Sequence, residues 1–213
     1  MRLGLVSDSQ GEVDALVRAL DAFEAARVDR VFFLGGRWAD LEAALERRQA
    51  RLQAPSAPAT AAPVPRTDLE FLAAVQGALA RQVPPPDPLA SRLVRVASRD
   101  CPEEASVAPR KVVDLLDGRI CALVHDKADL SRDDIENASL LFHGKADAAA
   151  LVRIGPRVFV TPGPLGPPPG GVASWGLVEL DAAEVALAVH GLDGALLRTV
   201  RAPLAGGGKV SVR

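Results

Sequence analysis

The chain opens on an apolar run, Leu3-Gly4-Leu5-Val6, that stops at Ser7-Asp8. That pattern predicts a strand buried on both faces, delivering a carboxylate at its carboxyl end, where α/β sheets build their sites. From Glu12 to Ala26 the rhythm changes: Val13, Leu16, Val17, Leu20 and Phe23 recur at three- and four-residue spacing, the signature of an amphipathic helix. Val28 to Leu34 is again continuously buried in pattern and ends in Gly35-Gly36. A strand, a crossover helix and a strand within about 35 residues form a βαβ unit, so the two strands are expected to be parallel neighbours. A second helix is predicted from Trp38 to Leu52, with Leu41, Leu45 and Leu52 on its apolar side.

Between Gln53 and Arg66 the pattern dissolves into Ala, Pro, Ser and Thr, a linker composition that cannot bury a core. Thr67-Asp68-Leu69-Glu70 then has capping-box form, and a helix is predicted to about Gln82, ended by Pro84-Pro85-Pro86. Its Leu69, Leu72 and Leu79 share one stripe, which must be covered by the parent domain or by a partner; they are the candidate partner-binding residues.

Beyond Leu89 the pattern is mostly that of strands. Leu93 to Ala97, Lys111 to Leu116 and Arg119 to Val124 are β-rich, and Asp117-Gly118 is a strong hairpin signal. A short helix over Leu130 to Asn137 has Ser131 as its N-cap, and Ser139 to Phe142 is another buried strand. Leu151 to Ile154, Arg157 to Thr161 and Trp175 to Leu180 follow, and Glu184 to Val189 with Ala195 to Arg201 close the chain as a hairpin about Asp193-Gly194. The expected fold is α/β: two packed β-sheets flanked by helices, in one domain spanning residues 1–213 with an insertion at about 53–88.

Composition narrows the function classes. With 48% hydrophobic residues the chain is no disordered polymer, and 25 basic against 27 acidic residues give no field that favours nucleic acid or an anionic membrane. Abundant alanine, arginine far in excess of lysine and no tyrosine point to a GC-rich bacterial coding bias. The two cysteines, Cys101 and Cys121, are too few for a disulfide framework. The apolar run before Asp8 is too short for a signal peptide, and no stretch reaches the ~18 apolar residues of a membrane span. A cytoplasmic protein is expected.

Five short segments at predicted strand ends carry the candidate chemistry. They are Asp8-Ser9-Gln10, Gly35-Gly36, Ala97-Ser98-Arg99-Asp100, Leu123-Val124-His125 and Gly144-Lys145-Ala146-Asp147, followed by Thr161-Pro162-Gly163-Pro164. In order and placement they resemble the motifs of the calcineurin-like metallophosphoesterases, particularly the small bacterial and archaeal phosphodiesterase branch. The resemblance spans nearly the whole chain apart from the insertion, and it implies an αββα sandwich. In that family Asp-x-His, Gly-Asp, Gly-Asn-x-Asp, a strand-end His and Gly-His-x-His hold two metals that activate hydroxide for attack on a phosphoester.

Here the resemblance places Gln10 at the first histidine, Gly36 at the bridging carboxylate, Ser98 at the asparagine and Lys145 at a histidine. Asp8 and His125 keep their residue type, Asp147 keeps a carboxylate, and Asp100 stands nearby. Two divalent ions need a bridging carboxylate and surrounding imidazoles, so no metal pair is expected. The structural alternatives are Asp8 and Ser98 as loop caps, His125 as an ordinary strand-end histidine and Trp38 as a packing residue; His143 and His190 match no motif position. Lys145 is expected to stand in for the missing cation between Asp8 and Asp147. The implied function is that of a pseudoenzyme acting as an interaction or regulatory module with a protein partner, a use this superfamily has in the eukaryotic retromer. Its alternative is a divergent phosphoesterase using a single divalent metal, manganese or zinc, on Asp8, His125 and Asp147. A homodimer is compatible with either reading.

Overall fold

The computed structural model describes residues 1–53, 87–166 and 172–204. Its elements are β1 (Arg2–Val6), α1 (Val13–Ala25), β2 (Arg30–Phe33), α2 (Trp38–Gln53), β3 (Leu93–Arg95), β4 (Lys111–Leu116), β5 (Arg119–Val124), α3 (Arg132–Asn137), β6 (Leu140–His143), β7 (Ala150–Ile154), β8 (Arg157–Thr161), β9 (Ser174–Leu180), β10 (Glu184–Gly191) and β11 (Leu196–Pro203). The strands form a six-stranded sheet, ordered β11-β10-β9-β1-β2-β3, and a five-stranded sheet, ordered β4-β5-β6-β8-β7. The βαβ expectation holds, with β1 and β2 parallel and Leu5 opposite Phe32. Leu69, Leu72 and Leu79, like most of the insertion, lie outside the described residues.

Alternation explains the layers. Leu3 and Leu5 of β1 face the second sheet, where Phe32 meets Phe142 edge to face at 5.5 Å and joins the two inner faces. The opposite face of the six-stranded sheet buries Val6, Val31 and Phe33 under Leu16, Leu20 and Phe23 of α1 and Leu41 of α2. Trp38 belongs to this outer layer as a packing residue, with the Arg95 guanidinium 5.7 Å from its ring centre. Among the described residues no helix is long and apolar enough to cross a membrane. Cys101 and Cys121 form no disulfide, and burial pushes the Cys121 thiol up to about 12.

Local signals were accurate at turns and caps. Asp117 and Gly118 adopt φ of 49° and 75°, the two left-handed positions that a tight β4–β5 turn requires. Ser131 caps α3 in a full capping box with Asp134, whose carboxylate also receives the Lys111 ammonium at 2.7 Å. Some expected boundaries move. β3 ends at Arg95 instead of Ala97: Val96 still donates to Phe33 of β2, but Ala97 turns to donate to the Pro109 carbonyl, and α3 starts at Arg132, after a 3-10 turn over Lys127–Asp129.

The Asp134 cluster yields a pH prediction. The hydrogen bond from Lys111, then that from Ser131, lower the Asp134 carboxyl to about 2, below the value of about 3.9 for an unfolded aspartate. A depressed folded-state pKa makes this contribution fully present above pH about 4 and removes it as pH falls through about 2. Allowing for solvent around the pair, the effect is about 1 kcal/mol. Urea midpoints between pH 5 and 2 are therefore expected to fall less steeply in Asp134→Asn than in the wild type.

The outer face of the five-stranded sheet is apolar across its width. Register places Val113, Ala122, Leu141, Phe159 and Val152 in one lateral row across β4, β5, β6, β8 and β7. The short helix α3 covers the middle, with Ala138 packed on Ala122 and Leu141. Either side of it stays open: Leu115 is 63% and Ile154 59% exposed, and Val113 and Val152 are about half exposed.

Candidate functional site

The parallel strands of both sheets point their carboxyl ends to one edge, and the loops leaving them carry every motif position. Asp8 follows β1, Gly35 and Gly36 follow β2, Ser98 follows β3, His125 follows β5, and Gly144 and Lys145 follow β6. Crevices outside such strand ends are the usual ligand positions of α/β sheets.

At the centre is a hydrogen-bonded chain of three side chains. His125 Nε2 lies 2.8 Å from Asp8 Oδ1, and His125 Nδ1 lies 3.0 Å from Ser98 Oγ, which also accepts from the Asp100 N–H at 3.1 Å. The composition is that of a serine hydrolase triad, but its exposure is reversed. Ser98 and His125 are buried, whereas the Asp8 carboxyl is 18% exposed at the mouth. A nucleophilic serine must meet substrate; Ser98 is sealed behind the imidazole, so the arrangement presents a carboxylate to solvent and no nucleophilic hydroxyl.

Backbone fixes the imidazole. A Cβ on Gly35 would sit 2.2 Å from His125 Cδ2, and one on Gly144 would sit 1.9 Å from the Leu34 carbonyl oxygen and 3.0 Å from the same ring carbon. Two glycine backbones thus form the slot that holds His125. Gly36 has φ of +120°, a region that side chains rarely adopt, and its Cβ would meet the Asp8 and Ser9 amide nitrogens at 3.1 Å.

The rim is tied by charge. Lys145 pairs with Asp100 and with Asp126, each at 3.3 Å. This corrects the expectation that its ammonium stands between Asp8 and Asp147. The loops after β3 and β5 flank the end of β6, so their carboxylates are the ones within reach. Asp100 first and Asp126 second raise the Lys145 pKa, and the Ala128 N–H, helped by Lys145, lowers that of Asp126. Asp147 is exposed, and Gln10 is exposed with its side chain against the Gly166 backbone.

The residues present do not match a two-metal centre. Gly36 offers no side chain, Asp8 and His125 are bonded to each other, and the Lys145 ammonium is engaged with the rim carboxylates of Asp100 and Asp126. Among the described residues no three His, Cys, Asp or Glu side chains are grouped so as to hold a metal ion.

Several positioning residues gave no motif signal. Asp40, buried in the first turn of α2, accepts from Ser9 Oγ and from the Gly11 N–H, both at 2.8 Å, and so anchors the loop in which Asp8 and Gln10 take positive φ. Ser7 donates to the Gly163 carbonyl at 2.8 Å, and the Leu165 and Gly166 amides bond the Ser7 and Asp8 carbonyls, so the loop after β8 walls one side of the site. Glu104 accepts from the Trp38 N–H at 2.9 Å and caps α2 from outside the helix. An aspartate two residues after a tryptophan is the only trace of the Asp40 anchor in the sequence.

Two sheets with this order, flanked by helices and with six loops converging at one edge, define the α/β sandwich of the calcineurin-like metallophosphoesterases. Solved structures of that fold align along nearly their whole length. A conserved uncharacterized protein from Streptococcus pneumoniae TIGR4, described as a predicted phosphoesterase, is 14% identical with a TM-score of 0.59, over 95% of this chain and 97% of that one. YfcE, a phosphoesterase from E. coli, is 19% identical with a TM-score of 0.55, over 94% of this chain and 98% of that one. Vps29 from Chaetomium thermophilum is 12% identical with a TM-score of 0.57, over 96% of this chain and 98% of that one. No protein-family model and no curated protein matches the sequence.

Proposed function

We propose that this chain is a phosphoesterase-fold protein that hydrolyses no phosphoester and serves as an interaction module. The observation that carries the first half is the direct 2.8 Å bond between His125 and Asp8, the two positions that keep a ligand residue type. A histidine and a carboxylate turned toward a common metal ion direct lone pairs at it; here each satisfies the other, and Gly36 supplies no bridge. Support for the second half is the pair of exposed apolar flanks on the five-stranded sheet, Val113 with Leu115 and Val152 with Ile154, on the face away from the inter-sheet core, together with the likeness of fold to Vps29.

The test begins with purified full-length protein. Elemental analysis after incubation with manganese or zinc is expected to return less than stoichiometric metal, and generic phosphodiesters to show no hydrolysis that a chelator abolishes. Stoichiometric metal with chelator-sensitive turnover would replace this reading by the one-metal hydrolase. For the interaction half, a partner crosslinked to the wild type is expected to be lost from a Leu115→Glu/Ile154→Glu double variant of unchanged melting temperature. Equal capture by both proteins would remove the apolar face from the proposal.

A further inference from the structure

We propose that the Ser98, His125 and Asp8 chain is a metal-free brace, a side-chain link that holds the carboxyl ends of β3, β5 and β1 together across the two sheets. The proposal rests on the reading above that no metal pair occupies this site, and goes beyond it by giving the surviving residues a task.

The first argument is the direction of the hydrogen bonds. A carboxylate only accepts, so the 2.8 Å contact with Asp8 puts a proton on His125 Nε2 and leaves that nitrogen without a lone pair for a cation. In the neutral ring Nδ1 then accepts from the Ser98 hydroxyl at 3.0 Å, and the Ser98 oxygen still receives the Asp100 N–H at 3.1 Å. Every polar atom of the buried imidazole is engaged, and at the Ser98 end the chain meets the main-chain N–H of Asp100. Asp8 itself donates its N–H to the Gly35 carbonyl at 3.0 Å, and the Gly144 and Lys145 amides bond the His125 carbonyl at 3.1 and 2.8 Å.

Topology supplies the second argument. β1 and β3 belong to the six-stranded sheet and β5 to the five-stranded one, so the bond between Asp8 and His125 joins residues 117 apart in sequence and on different sheets. A metal cluster shared between strand ends is a crosslink of the same kind, and a fold that gives up its metals needs another one or leaves buried polar groups unpaired.

Space is the third. His125 lies in a slot between Gly35 and Gly144, neither of which has room for a Cβ, and Gly36 holds a backbone conformation hostile to the bridging aspartate. Side chains and main chain are therefore fitted to the brace and not to a vacated metal site.

The experiment is a double-mutant cycle on full-length protein, read by thermal and chemical unfolding, with nuclear magnetic resonance of the imidazole ring proton. His125→Ala and Asp8→Ala are each expected to lower the melting temperature by about 5 °C or more, and the double variant to lose clearly less than the sum. Asp8→Asn, which keeps an acceptor oxygen, is expected to retain most of the coupling. The wild type is expected to show an exchange-protected Nε2 proton on His125 that Asp8→Ala removes. Should His125→Ala fail to fold, the ring proton in wild type, Asp8→Ala and Ser98→Ala still decides. Additive losses, or a ring proton indifferent to Asp8, would overturn the brace while leaving the non-hydrolytic reading intact. A rise in melting temperature on adding zinc or manganese would overturn both.

Discussion

Arg48→Ala is expected to lower the melting temperature by about 10–15 °C, the loss produced by about 3–5 kcal/mol in a chain of this size. Arg48 is 2% exposed in the middle of α2, and Asp87, where the described chain resumes, is 3% exposed beside it, with Nε to Oδ2 at 2.8 Å. The same guanidinium reaches Asp21 and, at 2.5 Å, Glu24 on α1, so one side chain ties α1, α2 and Asp87. Burial opposes its charge most strongly, and the bonds to Asp87 and Glu24 outweigh that and raise its pKa. Truncation leaves the buried Asp87 carboxylate without its counter-charge, and that uncompensated ion, more than the lost attraction, is the source of the effect. Adding Asp87→Asn to Arg48→Ala should recover a large part of the loss while preserving an acceptor for the Leu89 N–H, now bonded at 2.8 Å. Absence of any recovery in differential scanning calorimetry would assign the loss to packing instead.

Gly144→Ala is expected to be comparably damaging for a steric reason. Its Cβ would fall 1.9 Å from the Leu34 carbonyl oxygen, a backbone atom that no rotamer change can move. The ends of β2 and β6 would have to separate, at about 3 kcal/mol or more and a fall in melting temperature of about 10 °C, or the protein would not accumulate in soluble form. Gly155→Ala is the control. It has φ of +60° but nothing within 4 Å of the added methyl, so only the left-handed conformation is penalised, by about 1 kcal/mol. Equal losses in the two variants, measured side by side, would show that the Gly144 contact relaxes freely.

The elements that were legible in the sequence are those specified by neighbours in the chain. The rhythm of Val13 to Phe23, the Asp117-Gly118 turn and the Ser131 cap need only local chemistry, and each appears where the pattern puts it. The motif order also located the strand ends that converge on the site. Contacts between distant segments were not legible. Nothing near Arg48 announces Asp87, 39 residues on, and nothing near His125 announces its bond to Asp8. Lys145 illustrates the limit: proximity in sequence suggested Asp147, whereas its partners are Asp126, on the loop after the neighbouring strand β5, and Asp100, on the loop after β3 of the other sheet. Short-range rules fix conformation, but charge pairing is decided by which loops the sheets place side by side.

Helix α2 holds the site at one end and Asp87 at the other. Asp40 grips the loop that carries Asp8, and Arg48, eight residues later and about 12 Å along the axis, grips Asp87. An α-helix is stiff over that distance, so the two grips cannot shift independently. Any force that pulls Asp87 along the helix axis is delivered to Ser9 and Gly11 as a displacement of the same sign. The rod thus couples Asp87 mechanically to the carboxylate at the mouth of the site.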